Sequence, residues 1–266
     1  MKGYKAFIED QFDIVDKTSS IIPFRLNPVQ TKYLLEDYTG RDVVLKARQQ
    51  GFSSLILALF TTDFILKPNT RSVIVADIAD NAMELLDRVK FYIKSYEYKN
   101  NVKIPLKYNS KYELANESNG SRYTIGTADN SEFGRSKTIN NLHLSEFAFY
   151  KNPEKLFAGA MQAVVPDGRV IIETTANGFN FFKTFWDECV KGERGFKSNF
   201  YRASDFYDTD FLNDKRQQLG RLYPQEYPDT PQQAFLTSGS MYFNAEALEH
   251  YSQNTREPIV GGNLYV

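Results

Sequence analysis

The sequence predicts an α/β domain built on a mainly parallel sheet with helices on both faces. From residue 42 to 191, short apolar strand-like runs alternate with stretches of helical length. That order is what parallel strands joined by crossover helices require. The chain has 266 residues, 42% hydrophobic and 24% charged, which suffices for one large core and is not a disordered composition. The longest fully apolar run, Leu55–Phe60, is too short for a membrane-spanning helix.

The elements follow in order. Residues 1–20 read as a polar helix closed by Thr18-Ser19-Ser20. Pro23 and Pro28 bracket a turn before a helix over Gln30–Tyr38. Asp42–Lys46 is a buried strand, and Ser53–Leu66 is a helix stopped at Lys67-Pro68-Asn69. Arg71–Ala76 is a strand and Asn81–Tyr96 a helix. Lys111–Ala115 and Arg122–Ile125 form a strand pair joined through Asn119-Gly120. Asn141–Leu144 is a strand, and Pro153–Ala163 a helix with proline in its first turn. Arg169–Thr174 is a strand and Phe179–Lys191 a helix. Beyond residue 200, acidic and aromatic residues mix and Pro224, Pro228 and Pro231 interrupt the chain. That stretch reads as a smaller subdomain plus a linker.

Composition removes several function classes. There are 32 basic and 33 acidic residues, so a uniformly basic coat for nucleic acid is excluded while a local patch is not. Cys189 is the single cysteine, which excludes an intramolecular disulfide and a thiolate zinc cluster. His143 and His250 are the two histidines, little material for metal or Ser-His-Asp chemistry. Glu9, Asp10, Asp13 and Asp16 are foreign to a signal peptide.

Lys46-Ala47-Arg48-Gln49-Gln50-Gly51-Phe52-Ser53-Ser54 lies between a strand and a helix, where a phosphate-binding loop belongs. Against GxxxxGK[ST], Gly51 takes the second glycine and Ser53 the hydroxyl that holds magnesium. Lys46 replaces the first glycine and Phe52 the lysine. Such a loop folds back on itself, so the Lys46 ammonium can reach the phosphates from the opposite limb, with Arg48 as a second cation and helix-start N–H groups completing the cradle. An ordinary strand–turn–helix with a basic loop has the same pattern.

Two further strand tips carry suitable chemistry. ATP hydrolysis of this kind needs a second apolar strand beside the first, tipped by Asp and Glu, to anchor magnesium and orient the attacking water. Asn141-Leu-His-Leu-Ser145-Glu146 keeps the Glu but has Ser145 for the Asp, leaving an indirect metal anchor. The strand Val170–Thr174 ends in Thr175-Ala-Asn177-Gly178, whose hydroxyl and amide groups can sense the γ-phosphate. A solvated strand end and a plain Asn-Gly turn are the simpler readings of these two tips.

Taken together, these residues resemble the ATPase motor domain of phage large terminase subunits, which pump DNA into procapsids. Lys46–Ser54 is similar to a variant Walker A with its lysine at the loop start. His143–Phe149 is similar to Walker B, and Thr174-Thr175-Ala-Asn177-Gly178 to the coupling motif. The resemblance implies an ASCE-type P-loop NTPase fold using ATP and Mg2+. It implies an adenine-reading Gln30 and an Arg135 that reaches a neighbouring subunit's ATP. It makes Glu226–Phe235, with Ser238-Gly239, a lid and linker region. The implied division is an ATPase core over 1–200, a lid and linker over 201–258, and the opening of a nuclease domain over 259–266. The implied partners are double-stranded DNA, a portal protein, a small terminase subunit and further copies in a ring. The implied location is the host cytoplasm, transiently at the procapsid portal. A helicase-like remodeller, or a nucleotide- or DNA-binding domain of little activity, are the alternatives.

Between Arg88 and Lys111, seven basic residues interleave with aromatics and one acid, Glu97. Lys90, Lys94, Lys99 and Lys103 are the candidate DNA contacts, by a sequence-independent phosphate mode. A solvated helix face with its aromatics turned inward fits the same pattern.

Overall fold

The computed structural model describes residues 1–129 and 138–236. Helix α1 (Lys2–Gln11) is followed by a hairpin, β1 (Asp13–Val15) and β2 (Ile21–Pro23). The expected single helix over 1–20 therefore stops early. The Asp16 carboxylate accepts hydrogen bonds from the Thr18 and Ser20 N–H groups, a local turn that competes with helix. Helix α2 (Pro28–Lys32) runs into a π-helical turn over Tyr33–Asp37. Asn27 and Gln30 form a reciprocal capping box at its start.

The main sheet then opens with β3 (Arg41–Lys46), α3 (Phe52–Leu66), β4 (Arg71–Ala76) and α4 (Ala79–Asn100). Next come β5 (Leu106–Asn109), β6 (Glu113–Asn116), β7 (Arg122–Thr127) and β8 (Ile139–Ser145). Helix α5 (Pro153–Ala163), β9 (Val164–Thr174), α6 (Phe181–Val190) and β10 (Lys197–Tyr201) complete it. The eight strands lie in the order β10-β3-β9-β8-β4-β7-β6-β5. All neighbours from β10 to β7 are parallel, and β7-β6-β5 is an antiparallel meander. The predicted strand pair is the β6–β7 hairpin. The sequence reading missed β5 and β10. Both are edge strands, so their polar, half-exposed composition lacks the apolar signature of the central strands.

Alternation along the central strands divides the core. Val44, Ile74 and Ile171 join α3, α4 and α1 on one face. Val43, Leu45, Val73, Val75, Val170 and Ile172 join α5 and α6 on the other. Helix α3 is apolar almost all round because it is enclosed between the sheet and helices α1 and α4. One expectation is corrected: the strand bearing Glu146 is not beside the strand bearing Lys46, because β9 lies between β3 and β8.

After β10 the chain forms α7 (Thr209–Leu219), α8 (Tyr223–Glu226) and α9 (Pro231–Leu236). Ala203, Leu212, Tyr223 and Tyr227 close over Ala47 of the loop. Arg135, Ser238, Gly239 and the segment 259–266 lie outside the described residues. No described helix is long and apolar enough to cross a membrane.

Candidate active site

The loop between β3 and α3 turns on two left-handed residues, Gln49 (φ 58°) and Gly51 (φ 79°). A Cβ at Gly51 would lie 2.7 Å from Gln30 Nε2, so glycine is required both by conformation and by space. Helix α3 starts without a side-chain cap, which leaves its first-turn N–H groups available to an anion. The loop faces a cavity of about 860 Å³, whose wall includes Lys46, Arg48, Gln49, Gln50, Gly51, Ser53, Ser54 and Glu146. Ile14 and Val15 of the hairpin and Phe91 and Arg88 of α4 form its other side, a contribution that sequence reading did not find.

Two expectations about this loop are corrected. Gln30 is not on the cavity wall. Its Nε2 donates to Gly51 O at 2.7 Å and its Oε1 accepts from Asn27 N at 3.0 Å, so it braces the loop from behind instead of reading a base edge. Phe52 borders the cavity but turns its ring into the core against Tyr33 and Tyr201 and is 1% exposed. Ala47 is likewise fully buried.

The loop is also held from the far side. Gln50 Nε2 donates to Arg202 O at 2.7 Å, and Tyr207 OH to Arg48 O at 2.8 Å. Arg48 N donates to Glu226 O at 2.9 Å, while the Arg48 guanidinium pairs with the Glu226 carboxylate at 3.2 Å.

A charged centre lies under the loop. By strand alternation Lys46, His143, Ser145 and Glu173 share the sheet face that carries α3. Lys46 Nζ is 3.3 Å from Glu146 Oε1 and 3.1 Å from Glu173 Oε2. Glu173 Oε1 accepts from Ser145 Oγ at 2.6 Å and Ser53 Oγ at 2.8 Å, and lies 3.3 Å from His143 Nε2. Burial alone would lower the Lys46 pKa, but Glu146 and Glu173 outweigh it and hold the ammonium above its ordinary value. Burial pushes Glu146 above the usual carboxylate range and Glu173 adds to this, against the pull of Lys46. Burial opposes the Glu173 charge too, yet Lys46, the His143 contact and Ser145 together hold it well below that range.

Glu173 is the residue that sequence reading passed over. Its signal was a lone acid directly after the apolar run Val170–Ile172. Ser145, expected as an indirect metal anchor, instead donates its hydroxyl proton to this carboxylate.

Glu146 occupies a left-handed backbone position (φ 55°) at the end of β8 and keeps 34% side-chain exposure toward the cavity. Thr174 Oγ1 and Thr175 N both lie 3.4 Å from its Oε2. Asn177 Nδ2 donates to Ala148 O at 3.3 Å, just beyond Glu146. Gly178 follows with φ 68°. The expected coupling residues Thr174, Thr175 and Asn177 thus contact the β8 tip directly. Gln225 Nε2 reaches Ala176 O at 3.3 Å. Helix α8 therefore touches the coupling segment through Gln225 and the loop through Glu226.

Three of the four candidate lysines hold ion pairs within the fold. Lys99 Nζ pairs with Asp13 at 2.7 Å and donates to Asp10 O and Phe12 O, anchoring the N-terminal hairpin to α4. Lys90 pairs with Asp87 at 2.9 Å and Lys103 with Glu97 at 2.8 Å. Lys94 is exposed and has no ion pair among the described residues. Tyr92 is buried, and Tyr98 is 87% exposed.

No protein-family model matches the sequence. The fold does have solved counterparts. The ATPase domain of the large terminase of Thermus phage P74-26 is similar with a TM-score of 0.60 and 18% identity, over 77% of this chain and 93% of that one. The bacteriophage HK97 large terminase gives a TM-score of 0.67 and 17% identity, over 85% of this chain and 52% of that one. The large terminase of a thermophilic bacteriophage in complex with ATP-γ-S gives 0.58 and 10%, over 75% and 51%. The chain spans about half the length of the latter two proteins. What is shared at such identities is the fold, an α/β sheet of the large-terminase ATPase type.

Proposed function

We propose that this chain is an ATP-hydrolysing motor domain that drives double-stranded viral DNA into a procapsid. One observation supports this reading above the others. Lys46, Ser53 and Glu146, from three separate elements, meet at one cavity beneath an uncapped helix N-terminus.

The residues present suit magnesium. Serine hydroxyls and glutamate carboxylates are hard oxygen donors. Among the described residues no group of three or more His, Cys, Asp or Glu could hold a metal alone. Magnesium is usually shared with substrate phosphates, so one or two protein ligands suffice. Ser53 and the acidic centre would hold it, and when bound it would neutralise charge building up on the transferring phosphoryl group.

The remaining roles belong to the chain. Loop N–H groups and Lys46 cradle the phosphates, with Arg48 at the rim. Glu146 orients the attacking water and accepts its proton, for which a raised pKa is suited. Thr174 and Thr175 follow the Glu146 carboxylate, and α8 carries any shift from the coupling segment to the loop side. Arg135 would act on a neighbouring copy's ATP in a ring. A portal protein and a small terminase subunit would be the assembly partners. Exposed Lys94 remains a candidate for DNA contact.

Steady-state ATP turnover by the purified protein, alone and with duplex DNA, tests this. Loss of turnover in Lys46→Ala and Glu146→Ala supports the site; unchanged turnover in both removes it. Strand separation on forked DNA would point to a remodeller. Tight nucleotide binding with no turnover, even when assembled on DNA, would point to a binding domain.

A further inference from the structure

We infer that Glu173 on β9 is the carboxylate that anchors the nucleotide's divalent cation, the task that Ser145 on β8 cannot perform. The inference rests on the ATPase reading above and concerns one residue of that site.

In P-loop ATPases the loop hydroxyl and an acidic side chain on a neighbouring strand hold the ion together. The loop hydroxyl here is Ser53 Oγ, and it donates to Glu173 Oε1 at 2.8 Å. Ser145, paired with Glu173 in the β8–β9 register, donates to the same oxygen at 2.6 Å. Two hydroxyls thus converge on one carboxylate, and that carboxylate comes from the strand inserted between β3 and β8. The insertion places a β9 side chain closer to the loop strand than a β8 side chain would be. A glutamate there also has one more methylene than aspartate with which to reach forward.

Electrostatics point the same way. Glu173 has no exposed surface, and a buried carboxylate needs a compensating cation. The ammonium of Lys46 supplies it at Oε2, and the same ammonium is needed at the phosphates once nucleotide enters. A divalent cation arriving with the nucleotide replaces that compensation and releases Lys46 for the phosphates. Among the described residues Glu173 and Glu146 are the acids at this centre, and Glu173 is the one that the loop hydroxyl of Ser53 contacts.

The test is calorimetric binding of ATP-γ-S to the full chain, with Mg2+ and with EDTA. In the parent, Mg2+ should tighten binding by about tenfold or more over the EDTA condition; in Glu173→Gln that gain should fall to about twofold or less, whatever its EDTA affinity. Ser145→Ala should keep most of the gain, because Ser145 only positions Glu173. The exchanged pair, Ser145→Asp with Glu173→Ser, should restore the gain by returning the acid to β8. It also provides a second variant should Glu173→Gln fail to fold. A Glu173→Gln protein with the full Mg2+ gain overturns the inference and leaves the ATPase reading standing. So does loss of the gain in Ser145→Ala alone. A parent that binds no nucleotide in either condition overturns both.

Discussion

Lys46 Nζ stands 3.3 Å from Glu146 Oε1, across 100 positions of sequence. The contact joins the loop limb of β3 to the tip of β8, over the intervening β9. It joins Lys46, Glu146 and the buried Glu173 in one hydrogen-bonded unit, so changes at one are felt at the others.

Removing the base should separate binding from chemistry. Glu146→Gln keeps the shape of the side chain and its Thr175 neighbour. It should lower kcat by about 10²- to 10⁴-fold, the usual contribution of a positioned general base. Nucleotide affinity measured by calorimetry should change little. A parallel loss of affinity would assign Glu146 to binding instead.

Removing the cation should cost stability. Lys46→Met leaves the Glu173 charge buried with hydroxyl and imidazole partners only. A loss of about 3 kcal/mol is expected for a buried pair broken on one side, read by urea denaturation. Adding Glu173→Gln should recover most of it, because the stranded charge is then gone. Equal stability of Lys46→Met and parent would show that the pair contributes nothing.

The fold shifts the two glutamates in opposite directions. Glu146 is raised in the fold, so the base is ionised only above its elevated value. The acid limb of kcat/KM should therefore lie above the ordinary glutamate value of about 4.3. Glu173 is depressed. Its stabilising contribution is complete above its unfolded value and is lost as pH falls toward the folded one. Glu173→Gln should accordingly be less acid-sensitive than the parent in a pH series of thermal melts. An acid limb unchanged in Glu146→Gln would remove the first assignment.

Gly51→Ala should be damaging at the loop itself. The backbone lies at φ 79° and the new Cβ would meet Gln30 Nε2 at 2.7 Å. A cost of about 1–3 kcal/mol follows from strain of this kind, with loss of ATP-γ-S binding. Gln30→Ala in the same background should relieve the clash without the backbone strain, and recover part of the stability.

The basic helix separates into two behaviours. Lys94→Ala should weaken duplex binding and reduce the salt slope by about 1. Lys99→Ala should lower thermal stability instead, because Lys99 holds the hairpin through Asp13. Equal effects of both on DNA affinity would make Lys99 a DNA contact as well.

Much of this protein is legible in its sequence because the information is local. Alternating apolar runs gave the parallel sheet, proline in a first turn placed α5, and Lys46, Gly51, Ser53 and Glu146 announced themselves at strand tips. These features depend on spacing of a few residues, which the sequence displays directly. Strand order does not. That β9 enters between β3 and β8 is decided by packing, and only that insertion brings Glu173 under Ser53 and Ser145. The direction of a side chain is decided in the same way. Phe52 could have faced the phosphates, but Tyr33 and Tyr201 offer its ring a dry pocket. Gln30 could have read a base, but the carbonyl of Gly51 takes its amide. The sequence determined which groups the chain can place at its strand tips. Tertiary structure decided which of them meet, because burial forces each charge and hydrogen-bonding group to take the partner that the fold leaves within reach.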